Sequence, residues 1–313
     1  MIKKTIKSYY SILKNNTHIV RSQKSNGRLN AVVAEVIRNT HSIEKGLSIS
    51  NPKLGFGHAK QKALMANIKL LKNHNSSYYK EVCKMGIDAL REYLEYHRNH
   101  GYTDEFCDEI QTFISDYSAD DQKYGGTILV SKNDFQFDIP QIERFFKTRH
   151  SIRDFTNVPV DDSIIKRAVN LAQTAPSACN RQAVGCYVLS ERLTRDMARD
   201  LSGIGGFAEN VDRFILITGK VSAYRMSEVN QYIVSASIFT AYLTMTLHLY
   251  GVGACVVQRP VTWDGKWKKM CNKYGISKDE QLVIAIAIGN MKDECVVPLS
   301  HRIIMSDEQL FIN

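Results

Sequence analysis

Along the first 130 residues apolar side chains recur at i, i+3, i+4 and i+7, and this spacing predicts helices over 29–41, 58–71, 78–97 and 104–117. Thr103 followed by Asp104 and Glu105 reads as a helix start, with acids at the positive end of the helix dipole. Pro52, Gly55 and Gly57 mark 50–57 as the loop joining the first two helices. Further on the period changes. The runs 182–190, 213–218 and 281–289 are short and β-rich or continuously apolar, and helical periods at 139–148, 163–174, 190–202 and 231–250 lie among them. Strands alternating with long helices predict an α+β or α/β layer fold with a covered sheet. The polar stretch 118–126, ending in paired glycines, divides the chain into an all-α domain, 1–130, and a mixed domain, 131–313. With no site residue before the break, the helical part is expected to fold as a separate unit.

Composition narrows this picture. The chain has 313 residues, 44% hydrophobic and 23% charged, with 6 prolines, so it can bury a core and is neither low-complexity nor disordered. Its seven cysteines form no C-x-x-C pair and no zinc spacing, which reads as free thiols in a reducing, cytoplasmic compartment. The first residues lack the apolar core of a secretory signal. Between Val229 and Gln258 there is no Asp, Glu, Lys or Arg, yet Ser, Thr and His248 interrupt the stretch and Gly251 and Gly253 break it. A helix buried on all sides or in a subunit interface explains the missing charge better than a membrane span.

The net charge of +9 is unevenly spread. Lys3, Lys4, Lys7, Lys14, Arg21, Lys24 and Arg28 all precede the first acid, Glu35, with Tyr9, Tyr10, Ile12 and Leu13 among them. Residues 1–28 read either as a solvated, partly helical tail or as an arm that touches an anionic membrane surface. No RNP-like, zinc-finger or helix-turn-helix pattern accompanies them, so no nucleic-acid partner is expected.

The densest chemistry is the run from Lys147 to Phe155. If it is extended, Arg149, Ser151 and Arg153 point to one side, two guanidiniums and a hydroxyl suited to a phosphate monoester, with His150 among them. A solvated basic strand has the same spacing. A second segment follows a helix that stops at Pro176. There Ser177, Ala178, Asn180 and Gln182 form a small-residue and amide loop, able to serve a planar heterocycle or simply to turn the chain.

Taken together, Arg-x-Ser-x-Arg-x-Phe at 149–155 and, some twenty residues later, Ala-Pro-Ser-x-x-Asn-x-Gln at 175–182 resemble the flavin-dependent nitroreductase family. The uncharged helix leading into Gly251-Val-Gly-Ala-Cys255 and the late apolar run 281–289 follow the same order. The resemblance implies an α+β, nitroreductase-like FMN-binding sandwich, a sheet flanked by helices, preceded by the all-α N-terminal domain. It implies a homodimer with the flavin at the subunit boundary. Arg149, His150, Ser151, Arg153 and Arg302 would hold the phosphate and pyrimidine edge. Pro176, Ser177, Ala178, Asn180 and Gln182 would reach the flavin from the partner subunit, and Val256, Gln258 and Arg259 would pass it backbone amides near N5 and O4. The chemistry implied is hydride transfer from NAD(P)H to FMN, then electron delivery to a small-molecule acceptor (nitro-, quinone- or enone-like) in a ping-pong sequence, with no catalytic side chain or metal. The alternative, kept open by the departures in the pocket and by the large helical extension, is a non-catalytic flavin- or anion-binding partner in surface-polysaccharide assembly; 41–57 looks like a region that accompanies such domains in polysaccharide loci, a likeness of context with no chemistry attached.

Some positions depart from the family pattern. Ala183-Val184 stands where Pro-Trp is frequent, and Asn230-Gln231 where an acid often begins the central helix. Outside the pattern, His41 and Glu44 have a metal-like i, i+3 spacing without partners. Trp263 and Trp267 suggest an amphipathic helix capping the flavin region.

Overall fold

The computed structural model describes residues 2–24, 28–118, 122–201, 204–258 and 271–311. The helical periods of the first half become α1 (Ile2–Gln23), α2 (Leu29–Leu47), α3 (His58–Lys72), α4 (Ser77–Asn99) and α5 (Glu105–Ser115). The basic tail is thus one continuous helix over 2–23. Val36, Ile37, Leu64, Ile68, Leu90, Tyr93 and Ile110 form the core enclosed by α2 to α5. The Asp104 carboxylate caps α5 by accepting the Cys107 amide at 2.7 Å, as the acids there suggested. His97, buried, holds the 50–57 loop on α4. Its Nε2 accepts the Gly55 amide at 2.9 Å, so its Nδ1, 2.7 Å from the Tyr93 carbonyl, carries the proton.

The second half is built on strands β1 (Val184–Val188), β2 (Arg213–Lys220), β3 (Val252–Gln258) and β4 (Glu280–Asn290). They form an antiparallel sheet in the order β1-β2-β4-β3. β3, whose glycines read as a turn, is an edge strand running in register with β4 from Val252↔Asn290 to Gln258↔Ile284. Ile215, Ile217, Ile284, Ile286 and Ile288 belong to one core layer, with α7 (Asp162–Ala172) and α9 (Gln231–Leu249). The alternate residues Phe214, Leu216, Ala285 and Ala287 belong to the other, with Met197 and Leu201 of the α8 region (α8 is Glu191–Asp200). Both faces are covered, so β2 and β4 read as unbroken apolar runs rather than alternating ones. The fold is α+β, a helix-flanked sheet preceded by a helical region.

α9 is the one helix among the described residues long and apolar enough to cross a membrane, and half of it is buried inside the protein. Its Ala236, Phe239, Leu243 and Leu247 lie in the core it shares with α7 and the sheet.

The two halves share a buried surface. Ile19 of α1 and Ala34 of α2 cluster with Ala183, Val221, Tyr224 and Tyr232. Asn30 donates to both Asp279 oxygens at 3.2 and 3.4 Å, and Gln281 donates to Asn15 at 2.8 Å. Asp279 also accepts from Ser222 and Ser277. After the break, the Tyr124, Gly126 and Thr127 amides donate to Asp88, Glu44 and Glu92 of the helical region. Beyond them the chain is exposed as far as α6 (Ile139–Thr148), a strongly amphipathic helix that buries none of its residues.

Candidate functional site

α6 sets the direction of the cationic run. Asp138 caps its first turn by accepting the Gln141 amide at 3.2 Å, Pro140 suits that turn, and the helix ends where Arg149 turns extended (φ −74°, ψ 117°). The chain then follows the sheet edge. The Ile152 amide donates to the Ala254 carbonyl at 3.0 Å and the Thr156 amide to the Asn290 carbonyl at 2.9 Å. Ile152 and Phe155 are buried, whereas Arg149, His150 and Ser151 are half-buried and Arg153 is exposed. Two glycines permit this approach. A Cβ on Gly289 would sit 2.6 Å from the Phe155 ring, and one on Gly253 would sit 2.9 Å from Met291 and 3.1 Å from Ile152.

Arg149 and His150 then line a small pocket of about 30 Å³ with Thr148, Thr244, His248, Ala254 and Val256. His248 accompanies them from the end of α9, its Nε2 3.0 Å from the Thr148 hydroxyl and its ring stacked on Phe145 at 5.3 Å. Burial lowers the His248 pKa below the usual histidine value, and the Arg149 guanidinium and His150 push it down further. The imidazole is therefore uncharged at neutral pH. No carboxylate lines the pocket, and among the described residues none pairs with Arg149, His150 or Arg153. The Arg153 guanidinium reaches the Ser151 carbonyl at 3.3 Å and lies beside Cys255, whose thiol pKa burial raises and Arg153 partly restores. Arg149 and His150 are uncompensated donors suited to an anion, whereas Ser151 and Arg153 are not among the residues that line the pocket. The pocket's volume accommodates one polar group and no ring system.

The second segment lies at the other edge of the sheet, because 176–182 runs into β1 whereas Ile152 of the cationic run bonds to Ala254 of β3. One chain therefore does not bring the two groups together. Within the loop, Cys179, Asn180 and Gln182 adopt left-handed backbone (φ 51°, 53° and 50°), each costing about 1–2 kcal/mol for an L-residue, less for Asn. Ser177 Oγ accepts the Gln182 amide at 3.0 Å, and Asn180 Oδ1 accepts Gln182 Nε2 at 3.3 Å. Arg181 anchors the loop from inside. Only 4% exposed, it donates to both Glu228 oxygens at 3.0 and 2.9 Å, and its guanidinium lies 5.1 Å from the centre of the Tyr224 ring. Burial would lower the Arg181 pKa, but the Glu228 carboxylate outweighs it and the net shift is upward. Pro176 and Gln182 remain exposed, and Ser177, Ala178 and Asn180 half-exposed.

The remaining expected positions are scattered. Val256 lines the small pocket, and Gln258 ends β3, with only its backbone described. Arg259, Trp263 and Trp267 lie outside the described residues. Arg302 is in the exposed tail, donating to the Ser300 carbonyl at 2.6 Å. His41 Nδ1 is 3.5 Å from Glu44 Oε2, while Glu44 Oε1 takes the Gly126 amide. Two larger hollows, about 410 and 510 Å³, open beside Arg213 at the start of β2 and hold none of the expected residues. Sequence reasoning passed over His248, Arg181 and Glu228. The signal for His248 was present, since it is the one imidazole in a stretch otherwise free of formal charge.

Comparison with known proteins agrees with the resemblance over this part of the chain. Residues 146–209 match the nitroreductase family model, a span that contains both the cationic run and the amide loop. No curated protein matches the chain. Similar solved structures include an FMN-dependent nitroreductase from Clostridium difficile R20291, 22% identical, covering 50% of this chain and 91% of its own, with TM-score 0.43. A nitroreductase family protein from Streptococcus pneumoniae TIGR4 is 18% identical over 52% of this chain and 96% of its own, with TM-score 0.43. A Desulfovibrio desulfuricans structure in complex with FMN is 17% identical over 51% of this chain and 92% of its own, with TM-score 0.41.

Proposed function

We propose that the chain is an FMN-dependent oxidoreductase that works as a cytoplasmic homodimer. One observation carries the reading: Arg149, His150, Ser151 and Arg153 flank Ile152, whose amide donates to the Ala254 carbonyl of β3, and none of the four has a carboxylate partner among the described residues. Their donor chemistry fits the FMN phosphate. Arg149 and Arg153 bind it as charged donors, Ser151 adds a hydroxyl, and neutral His248 keeps the pocket from accumulating further positive charge. The edge strand β3, on which Val256 is exposed, offers backbone groups at Val256 and Gln258 to the ring. When bound, FMN supplies hydride acceptance from NAD(P)H and electron delivery to a nitro-, quinone- or enone-like acceptor; the chain's own part is binding and orientation. Arg302 joins the phosphate ligands from the tail.

A second copy completes the site with the Pro176–Gln182 loop. Support for that copy comes from apolar side chains left in water: Ile128, Leu129 and Phe137 before α6, Phe146 on it, Val234 on α9, and Val296, Ile303 and Ile304 in the tail.

The test is spectroscopic. Purified protein should be yellow and should bleach with NAD(P)H under anaerobic conditions. Yellow protein that no reduced nicotinamide bleaches would point instead to a non-catalytic flavin binder. Arg149→Ala should weaken FMN binding ten- to a hundredfold, the equivalent of about 1.5–3 kcal/mol for one charged donor. An unchanged dissociation constant would overturn the phosphate assignment.

A further inference from the structure

We infer that the free end of α1 is an interfacial helix that seats the protein on an anionic phospholipid bilayer. Among its described side chains, those of the C-terminal turns dock α1. There Asn15, His18, Ile19, Ser22 and Gln23 face the body, with Ile19, Ser22 and Gln23 buried. Ile6, Tyr9, Tyr10 and Leu13 follow the i, i+3, i+4, i+7 spacing of one helical face, and all four are exposed, by 62%, 71%, 66% and 66%. At 3.6 residues per turn this stripe lies on the side of the helix opposite the docked face. It therefore continues no internal packing surface and points away from the protein.

Charge identifies the occupant. By sequence spacing Lys3, Lys7, Lys14 and Arg21 fall in one row beside the apolar stripe, and no acidic residue precedes Glu35. Lys14 and Arg21 are exposed. A narrow apolar face carrying two tyrosines and flanked by a basic row is how a helix lies in the headgroup region, its aliphatic side chains entering the acyl boundary and its lysines meeting lipid phosphates. A protein partner of the same face would have to be both apolar and acidic, a pairing a phosphatidylglycerol surface provides without further specificity. The inference stands independently of the flavin reading.

The experiment is vesicle co-sedimentation of the full-length protein, with phosphatidylcholine vesicles containing or lacking phosphatidylglycerol. Binding should require phosphatidylglycerol and weaken severalfold as salt rises from low to high ionic strength, because the Debye length shrinks. Ile6→Asp with Leu13→Asp should lower the partition coefficient about a hundredfold, roughly tenfold per apolar side chain kept out of the lipid. Thermal melting of this variant, unchanged from wild type, shows that the fold is intact, since neither side chain is buried. Absence of binding at low salt, equal binding to neutral vesicles, or equal binding by the variant would overturn the inference. So would a variant whose oligomeric mass falls while wild type ignores vesicles, because the stripe would then be an interface between copies.

Discussion

Replacing Glu228 by Gln should release the 177–182 loop. The substitution keeps the side-chain shape but removes the charge that Arg181 faces. Arg181 is 4% exposed, so little water can replace the carboxylate around it. Removing one partner of a buried pair costs about 3–5 kcal/mol when both are dry. Glu228 is 27% exposed on its side chain, which lets solvent recover part of the loss and brings the expected destabilisation to about 2–3 kcal/mol. The partner variant distinguishes charge from packing. Arg181→Met with Glu228→Gln removes the uncompensated cation and fills its volume with an apolar chain, so the double variant should be more stable than Glu228→Gln alone. Urea denaturation of the two single variants and the double variant, with FMN affinity measured on each, gives the coupling energy. It should exceed about 1 kcal/mol, and FMN affinity should fall with stability in Glu228→Gln, because the left-handed residues at 179, 180 and 182 flank the lost anchor. Additive effects, or a loss below about 0.5 kcal/mol for Glu228→Gln, would refute the anchoring role.

Gly289→Ala should cost about 1–3 kcal/mol in denaturation and weaken FMN binding severalfold, since its Cβ would displace Phe155 and the run that carries Arg153; unchanged values in both would show that the run does not rest on this contact. Burial, with Arg28 nearby, lowers the His18 pKa to about 4 although Asp279 opposes the shift. The unfolded chain therefore binds more protons between about pH 6.5 and 4, so stability present at pH 7 is lost as pH falls through that window, and melting temperatures of His18→Asn should depend on pH less than those of wild type. Deleting residues 1–130 exposes Ala183, Val221, Tyr224 and Tyr232, so a chain beginning near Lys132 should aggregate or fail to hold FMN; a soluble, yellow truncated protein would contradict this.

How much of this was legible in the sequence follows from where each signal originates. β2 and β4 are conspicuous because both faces of the sheet are buried, leaving no polar position to interrupt them. The cationic run stands out because its chemistry lies within five consecutive residues, 149–153. β3 was hidden by Gly251 and Gly253, although Val256 and Val257 carry the β-branched character of an edge strand. The Arg181–Glu228 pair spans 47 residues and leaves no local pattern. α6 was readable from its helical period, but among the described residues only Phe145 of its apolar side is partly covered, stacked on His248. The amide loop and the cationic run follow one another closely in sequence yet lie at opposite sheet edges, a separation only the strand order β1-β2-β4-β3 reveals.

The contact of α1 and α2 with Ala183, Val221, Tyr224 and Tyr232 constrains how such chains can be recombined. A chimera joined at the glycine-rich break would import foreign helices beneath the most strained loop of the host. Asn30 and Asp279, or Asn15 and Gln281, would meet partners selected for another surface. Exchange between relatives should therefore succeed only when 15–34 travels with 178–183, 221–232 and 279–281. The unit of inheritance for this site is a set of short segments from both halves, and a junction drawn at the visible boundary cuts through it.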